Sequence, residues 1–304
     1  MHTRQIGDRL FLIDLQTGGL ENTIASYVLR GEKSIIVETG PTSSVPNLLL
    51  GLREIGVKPE DVAFVAVSHV HIDHAGGVGT LLHSLPDAKV VVHAKGAPHL
   101  VDPSKLWVAS QRMLGSLTEV FGEPVAVLPN RIVVVRDGFV FDAGVGAELR
   151  VIESSGHASH SLSFFEPLSQ GVFTGDSAGA YIPECDVVFP TTPSPFRPDF
   201  ALISLDKLIG LNPKFLYYSH FGKAGDAVRR LRNYQVQIRL WLNVVEEGLK
   251  RGEGVKELTD RIFLEDKTIS RAAANELKAN PVHRKTLLEN SLLGFIDFVQ
   301  KPQI

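Results

Sequence analysis

A short run of histidine and aspartate is the part of this sequence best suited to chemistry. Residues 68–77 read Ser-His-Val-His-Ile-Asp-His-Ala-Gly-Gly, so the metal-ligand candidates His69, His71, Asp73 and His74 fall within six positions. Neutral imidazoles with a carboxylate form a nitrogen and oxygen ligand set that suits zinc, iron, manganese, cobalt or nickel. No thiolate accompanies them to favour a softer metal. The run therefore predicts a transition-metal centre.

The residues before and after this run indicate its place in a fold. Residues 62–67 are an unbroken apolar stretch, which is typical of a buried strand. A helix-like segment with paired glycines follows the run. Loops that leave the C-terminal ends of strands usually carry the functional sites of α/β folds. We therefore expect the four candidates to lie on such a loop.

At these residues the sequence resembles the metallo-β-lactamase-fold metallohydrolases. The run from His69 to His74 is similar to that family's first ligand motif, and Glu38-Thr39-Gly40 is similar to the turn that usually precedes it. Three later blocks follow in the family's order: residues 155–160 resemble its third-histidine segment, 173–176 its bridging-aspartate segment and 218–222 its last-histidine segment. The nearest resemblance is to the glyoxalase-II-like and lactonase-like branch, whose final ligand is histidine.

The resemblance implies two metal pockets that share one carboxylate. The first pocket would use His69, His71 and His157, the second would use Asp73, His74 and His220, and Asp176 would bridge the two ions. Two divalent ions bring four positive charges, and two carboxylates with one hydroxide remove three, which leaves one to polarise a substrate oxygen. A mononuclear variant stays open, because occupancy also depends on metal supply.

The function implied is a dinuclear metal-dependent hydrolase that uses a metal-bridging hydroxide to cleave an ester-type bond. Its substrate would be a small molecule, namely a phosphoester, a carboxylic ester or lactone, or a thioester. Two divalent ions, with zinc expected first, would be the cofactors. Asp73 would also orient the hydroxide. Lactonase-like relatives place a tyrosine where Gly179 stands, and Tyr181 would replace it as the catalytic oxyanion donor if the loop turns inward.

Several alternatives remain open at this level. A mononuclear non-haem iron enzyme of the persulfide-dioxygenase-like kind would share the same ligands. His160, three residues after His157, is either a residue that orients a ligand or the ligand in a shifted alignment, and the glycine before His157 favours His157. His93 either lines the pocket or is a hydrogen-bonded structural histidine.

Composition limits the partners and the location. With 31 basic and 34 acidic residues the net charge is −3, which gives no bulk attraction to nucleic acid or membranes. Charges stand near the N-terminus where a signal peptide needs an apolar region, so we expect a cytoplasmic protein. Cys185 is the only cysteine, which excludes an internal disulfide.

The order of the predicted elements indicates the fold class. Opening strands, a helix, the ligand strand, a helical stretch over 104–121 and five short strands over 132–174 suit a four-layer αββα sandwich. Residues 181–198 hold five prolines among apolar residues, and they either form a pocket wall or pack on the protein's own core or a second subunit.

The pattern turns helical from about residue 225. We therefore divide the chain into a catalytic domain over 1–224 and a helical extension over 225–304, with helices expected near 254–265, 270–280 and 282–299. The apolar stripe of this extension would cover one rim of the metal cleft or form a homodimer interface. Arg229, Arg230 and Arg232 either bind an anionic substrate tail or form a solvated helix face.

Overall fold

Seven strands form the first sheet of the structure, a computed structural model that describes residues 2–270 and 288–301. They lie across the sheet in chain order: β1 Thr3–Gln5, β2 Leu10–Asp14, β3 Ala25–Arg30, β4 Ser34–Val37, β5 Val62–Ala66, β6 Lys89–His93 and β7 Ile132–Val135. The first four strands pair antiparallel, and the last four pair parallel. Parallel neighbours need crossover connections, and helices supply them here.

Six helices make these crossovers on the outer face of the first sheet. They are α1 Val45–Glu54, α2 Ile72–Ala75, α3 Val78–Leu82, α4 Ala97–Val101, α5 Ser104–Leu114 and α6 Leu117–Phe121. The predicted single helix over 104–121 is two helices, because Gly115 takes a φ of 57° that a continuing helix does not allow.

Six strands form the second sheet. Across it the order is β15 Gly222–Ala224, β14 Phe215–Tyr218, β11 Gly171–Gly175, β10 Leu162–Glu166, β9 Glu148–Glu153 and β8 Val140–Asp142. Strands β11 and β14 are parallel, and α7 (Pro198–Gly210) lies in the connection between them. A separate antiparallel hairpin, β12 Ala180–Ile182 and β13 Val187–Phe189, precedes α7.

Three apolar clusters fill the spaces between four layers. One lies between the two sheets and joins side chains such as Tyr27 of β3 with Phe173 of β11. The second packs the first sheet against α1 to α4, and the third packs the second sheet against α7 and the later helices α8 Ala227–Lys250, α9 Val255–Glu265 and α10 Asn290–Gln300. The predicted four-layer αββα sandwich with C-terminal helices is confirmed.

The C-terminal helices pack closely on this sandwich. Leu231, Ile238 and Val245 from the predicted stripe of α8 are fully buried in the cluster over the second sheet. The helix expected near 270–280 and the start of the one expected over 282–299 lie outside the described residues. The division at residue 224 stays a prediction. Among the helices described, none combines the length and the apolar character needed to cross a lipid bilayer.

The proline-rich segment over 181–198 also packs on the core of the protein. Its first part forms the β12–β13 hairpin, and Phe189 and Phe196 are 0 % and 3 % exposed in the cluster beneath α7 and α8. Cys185 lies at the hairpin turn and is half-buried. These two phenylalanines therefore pack on the chain's own core, which is one of the alternatives predicted for this segment.

Candidate metal centre

The histidine and aspartate run leaves the C-terminal end of β5, as expected. His69 and His71 lie on the loop after the strand, and Asp73 and His74 lie in the short helix α2. The main-chain oxygen of His71 accepts hydrogen bonds from the N–H groups of His74 and Ala75, at 3.0 and 2.9 Å. The loop and the helix are therefore one hydrogen-bonded unit that brings four side chains to one place.

The second sheet contributes three residues from the corresponding end of its strands. His157 lies between β9 and β10, Asp176 follows β11 directly, and His220 lies between β14 and β15. Gly156 takes a φ of 143°, and a Cβ there would lie 2.6 Å from the Cα of Ala201. Only glycine fits at this position, so the residue before His157 lies directly against α7.

These seven side chains meet in one cluster. Three groups of potential ligand atoms each lie within 4.8 Å of one another: His69, His71 and His157; His69, His74 and Asp176; and Asp73, His74 and His220. The first and third groups have the composition of the two predicted pockets, and the second lies between them. The structure therefore brings together every residue predicted to be a metal ligand.

Hydrogen bonds outside the cluster fix how the imidazoles face it. Nδ1 of His157 donates to the main-chain oxygen of Thr191 at 2.7 Å, and Nδ1 of His220 donates to that of Thr23 at 2.9 Å. A carbonyl can only accept, so each Nδ1 carries the proton and each Nε2 presents a lone pair to the cluster.

Nitrogen atoms inside the cluster approach one another closely. Nε2 of His69 and Nε2 of His157 each lie 3.0 Å from the same Nδ1 of His71. With the proton of His157 on Nδ1, its Nε2 can only accept, so that contact needs the single proton of Nδ1 of His71, and the contact with His69 cannot then be an ordinary hydrogen bond as well. Oδ1 of Asp176 is also buried, and it has no hydrogen-bond partner among the residues that the structure describes. The donor set fits divalent metal ions.

The electrostatics favour ligand forms of these groups. Burial, and then the neighbouring histidines, lower the pKa of His69 and take that of His71 to about 3, so both imidazoles are neutral at pH 7. Burial opposes ionisation of Asp73 and Asp176, but His74 and the other histidines hold both carboxyl pKa values below their ordinary range. Neutral imidazoles and ionised carboxylates are the forms that bind metal.

The pKa values of His74 and His220 shift in the opposite direction. Burial lowers the pKa of each imidazole, but the Asp176 and Asp73 carboxylates, joined by Glu38 at His74, together outweigh burial and raise it. Nε2 of His74 lies 3.3 Å from Asp176, and Nε2 of His220 lies 3.5 Å from Asp73. This side of the cluster therefore stabilises positive charge, which a divalent ion would supply in place of protons.

His160 and His93 lie beside the cluster rather than in it. The ring centroid of His160 is 6.3 Å from that of His69 and 6.2 Å from that of His71, and it belongs to none of the three groups. Burial, and then His157, lower its pKa to about 4. Nε2 of His93 lies 3.6 Å from the Glu153 carboxylate. The structure thus places His157, not His160, among the candidate ligands.

Tyr181 is joined to the site through its main chain. Its N–H donates to the main-chain oxygen of His220, while its hydroxyl donates to Asp186 at 2.9 Å. Arg230 binds the same carboxylate at 2.5 Å and lies over the Tyr181 ring. The role of Tyr181 as an oxyanion donor stays a prediction, and Arg230 already has an anionic partner within the chain.

The supporting residue Thr191 could not be found from the sequence. It lies 34 positions from His157 and in no recognisable motif, yet it holds the ring of that histidine. Glu38 was noted only as part of a turn. It follows β4 and is 1 % exposed beside His74. An acidic side chain directly after a predicted buried strand is the feature of the sequence that could have identified Glu38 as part of the site.

A family model and this geometry agree on the class of protein. The model described as the metallo-beta-lactamase superfamily matches residues 20–220. The chain belongs to the metallo-beta-lactamase superfamily. All seven candidate ligands lie within the matched residues. Membership implies binding of divalent metal, in agreement with the donor set described above.

Related members of the metallo-beta-lactamase superfamily share much of the chain. The metallo-beta-lactamase fold-containing protein ST1585 of Sulfurisphaera tokodaii is 31 % identical over 201 residues, which cover 64 % of this chain and 72 % of that protein. The crystal structure of ST1585 from Sulfolobus tokodaii has a TM-score of 0.62 at 29 % identity and covers 71 % of this chain and 80 % of that one.

A second structure extends the likeness in fold to the C-terminal helices. The metallo-beta-lactamase family protein TTHA1429 from Thermus thermophilus has a TM-score of 0.66 and covers 97 % of this chain and 95 % of its own, at 20 % identity. The putative diflavin flavoprotein A 3 of Nostoc is 27 % identical over 203 residues. That match covers 64 % of this chain and only 30 % of the flavoprotein.

Proposed function

We propose that this protein is a dinuclear metal-dependent hydrolase that cleaves an ester-type bond in a small molecule. The candidate bonds are a phosphoester, a carboxylic ester or lactone, and a thioester. We place it in the glyoxalase-II-like and lactonase-like branch, because its last candidate ligand is His220 rather than a cysteine. His69, His71 and His157 would hold one ion, and Asp73, His74 and His220 the other.

One observation carries the proposal. Oδ1 of Asp176 lies 3.3 Å from Nε2 of His74, and Oδ2 lies 3.6 Å from Nε2 of His157. The two oxygens of one carboxylate therefore face a histidine of each proposed pocket. A bridging carboxylate brings two ions close enough to act on one substrate atom, as hydrolytic two-metal sites require.

Two divalent ions, when bound, would lower the pKa of a water between them and polarise the oxygen of the scissile bond. Asp176 and Asp73 differ in solvent exposure, and this difference suits them to different roles. Asp176 is 7 % exposed and enclosed by histidines, which suits a fixed bridging group. Asp73 is 27 % exposed, and Oδ2 lies 3.5 Å from His220. It is ionised and partly exposed, so it can orient the attacking water and accept its proton.

The test combines metal analysis with a substrate screen. The purified chain would be loaded with zinc, manganese, cobalt, nickel or iron, and bound metal would be counted by mass spectrometry. Each form would be assayed with p-nitrophenyl esters, lactones, thioesters and phosphoesters, beside an Asp176→Asn variant as the background control. We expect two ions per chain and turnover of at least one ester class, lost in Asp176→Asn.

An oxygen-consumption assay with a persulfide, added to this screen, separates the alternative oxidation chemistry. One iron per chain, with oxygen consumption on a persulfide and no ester turnover, would replace the hydrolase with a mononuclear iron oxidoreductase. A chain that binds none of these metals would contradict both. Zinc is the metal we expect first, because its ligand preference matches this nitrogen and oxygen set.

A further inference from the structure

The segment over residues 190–197 touches the candidate ligands on one of its sides. The main-chain oxygen of Thr191 accepts the hydrogen bond from Nδ1 of His157 at 2.7 Å, and Oγ1 of Thr191 donates to the main-chain oxygen of Asp176 at 3.1 Å. The N–H of Arg197 donates to the main-chain oxygen of Gly156 at 3.0 Å. This segment therefore binds the side chain of His157 and the main chains of Gly156 and Asp176.

Helix α10 holds the other side of the same segment. Oγ of Ser291 donates to the main-chain oxygen of Pro190 at 2.5 Å, and Oγ1 of Thr192 donates to the main-chain oxygen of Ser291 at 2.8 Å. Both Ser291 and Thr192 are buried. The hydrogen bonds from α10 thus flank Thr191, the residue that orients His157.

Two further residues on the same face of α10 complete the contact. A Cβ on Gly294 would lie 1.8 Å from the main-chain oxygen of Thr192, so the helix and the segment approach as closely as glycine allows. Oγ of Ser194 donates to the Asp297 carboxylate at 2.8 Å. Residues 291, 294 and 297 recur at a spacing of three, which places them on one helix face.

We propose that Ser291 and Gly294 are positioning residues for the first metal pocket. They fix the main chain around Thr191, and the Thr191 carbonyl in turn fixes the tautomer and ring orientation of His157. A hydrogen bond to the second ring nitrogen sets how well a histidine binds metal. The inference rests on the proposed function, since it takes His157 as a ligand.

The proposal predicts an effect on the first pocket, because the hydrogen bond from Thr191 to Asp176 reaches its main chain and not the carboxylate that both pockets share. In the second pocket, Glu38 contacts His74, and the main-chain oxygen of Thr23 accepts a hydrogen bond from His220. Among the described residues, neither Glu38 nor Thr23 forms a hydrogen bond with α10. A shift of the 190–192 segment should therefore weaken the ion held by His157 and leave the other ion in place. The C-terminal extension would thus contribute to metal binding without supplying a ligand.

The test uses three variants of α10 in the full chain. Ser291→Ala removes the hydroxyl bound to Pro190, and Gly294→Ala forces α10 away from Thr192. Leu292→Ala is the matched control, because Leu292 is 1 % exposed in the apolar core and its side chain cannot hydrogen-bond to the segment. Zinc affinity would be measured by competition with a chromophoric chelator, and folding by urea titration.

We expect Ser291→Ala and Gly294→Ala to lower the affinity for one of the two zinc ions about ten- to hundredfold. The other ion should bind as in the wild type. Leu292→Ala should unfold at lower urea yet keep both affinities. Adding Ser291→Ala to a His157→Ala background should change zinc affinity no further, because the ligand that it positions is already gone.

Three results would contradict the inference. If the wild type binds two ions and both variants bind them equally well, the inference is wrong while the proposed function stands. If Leu292→Ala weakens zinc as much as Ser291→Ala, the effect is general destabilisation rather than positioning. If the wild type binds no metal, both the proposed function and this inference are wrong.

Discussion

The carboxylate of Glu38 lies 3.3 Å from Nδ1 of His74, and both side chains are at most 1 % exposed. The other oxygen of Glu38 accepts the N–H of Ser68 at 3.1 Å, so one side chain joins the end of β4 to the start of the ligand loop. With Nδ1 facing Glu38, Nε2 of His74 faces Asp73 and Asp176 at 3.7 and 3.3 Å. Glu38 therefore sets the direction in which His74 meets the cluster.

Replacing this carboxylate should weaken the second metal pocket. In Glu38→Gln the amide oxygen can still accept from Ser68, but the amide N–H₂ would face Nδ1 of His74 and disfavour the tautomer that binds metal. Loss of such an outer partner costs about ten- to hundredfold in metal affinity. Chelator competition would measure it.

Glu166→Gln is the control for the Glu38 experiment. Glu166 is also a buried carboxylate, 3 % exposed, but it accepts the N–H groups of Leu168 and Ser169 at the turn after β10. Its amide variant should keep both zinc affinities. Equal affinities in Glu38→Gln and the wild type would show that Glu38 has no part in metal binding.

The two aspartates should lose metal differently. Asp176→Asn weakens both proposed pockets, so we expect zero to one ion per chain and almost no activity. Asp73→Asn should lose the second ion and keep about one, since His69, His71, His157 and Asp176 remain. Activity should fall by at least about a hundredfold in each variant, the scale of a lost acid–base role. Two ions and wild-type turnover in Asp73→Asn would refute the proposed mechanism.

Tyr181→Phe tests the oxyanion role predicted from the sequence. Because the hydroxyl already donates to Asp186, we expect kcat to stay within about threefold of the wild-type value. Removal of a true oxyanion donor costs about a hundred- to a thousandfold in kcat. A loss on that scale would mean that the hydroxyl leaves Asp186 and contacts the substrate.

Asp266 should matter for stability rather than for chemistry. It is 4 % exposed and accepts the side-chain N–H groups of Gln237 and Trp241 at 2.8 and 2.9 Å. Asp266→Ala leaves both buried donors without this acceptor, so we expect a loss of roughly 2–5 kcal/mol in the free energy of unfolding. Asp260→Ala, at an exposed site on α9, should change it by less than about 0.5 kcal/mol.

The pair of Asp186 and Arg230 should contribute a small stability that depends on pH. Burial acts to raise the pKa of Asp186, but the hydrogen bonds from Arg230 and Tyr181 outweigh it and lower that pKa. A lowered folded-state pKa stabilises the fold above the ordinary value of about 4, and the gain is lost as pH falls through the folded value. Urea titrations of Asp186→Asn and the wild type should differ slightly at pH 7, by under about 1 kcal/mol at this exposed site, and converge once the pH falls below the folded-state pKa of Asp186.

The sequence predicted the elements whose pattern is local. Alternating or continuous apolar residues predicted five short strands over 132–174, and the five strands β7 to β11 lie over residues 132–175. Gly115 was not recognised as a break, because a glycine inside a helical pattern gives no sign of its φ.

Contacts between distant residues were beyond a single sequence. The ligand blocks could be found because their residue types are distinctive at short spacing. Thr191 acts through its main-chain oxygen, which every residue type possesses, so nothing in its identity predicts that it orients His157. Whether the proline-rich segment faced the cleft or the core likewise depended on how Phe189 and Phe196 pack, which only the assembled fold decides.

The seven candidate ligands come from both sheets, four from the first and three from the second. Two bound ions would therefore act as a removable cross-link between chain segments that are far apart in sequence. Because neither half alone supplies a complete pocket, the ions would bind the folded chain more tightly than the unfolded one. Free metal at a hundred times its Kd would add about 2.7 kcal/mol to the free energy of unfolding for each site. Withdrawal of metal would then expose the chain to proteolysis as well as stop its reaction, so metal supply would also govern how long each molecule lasts.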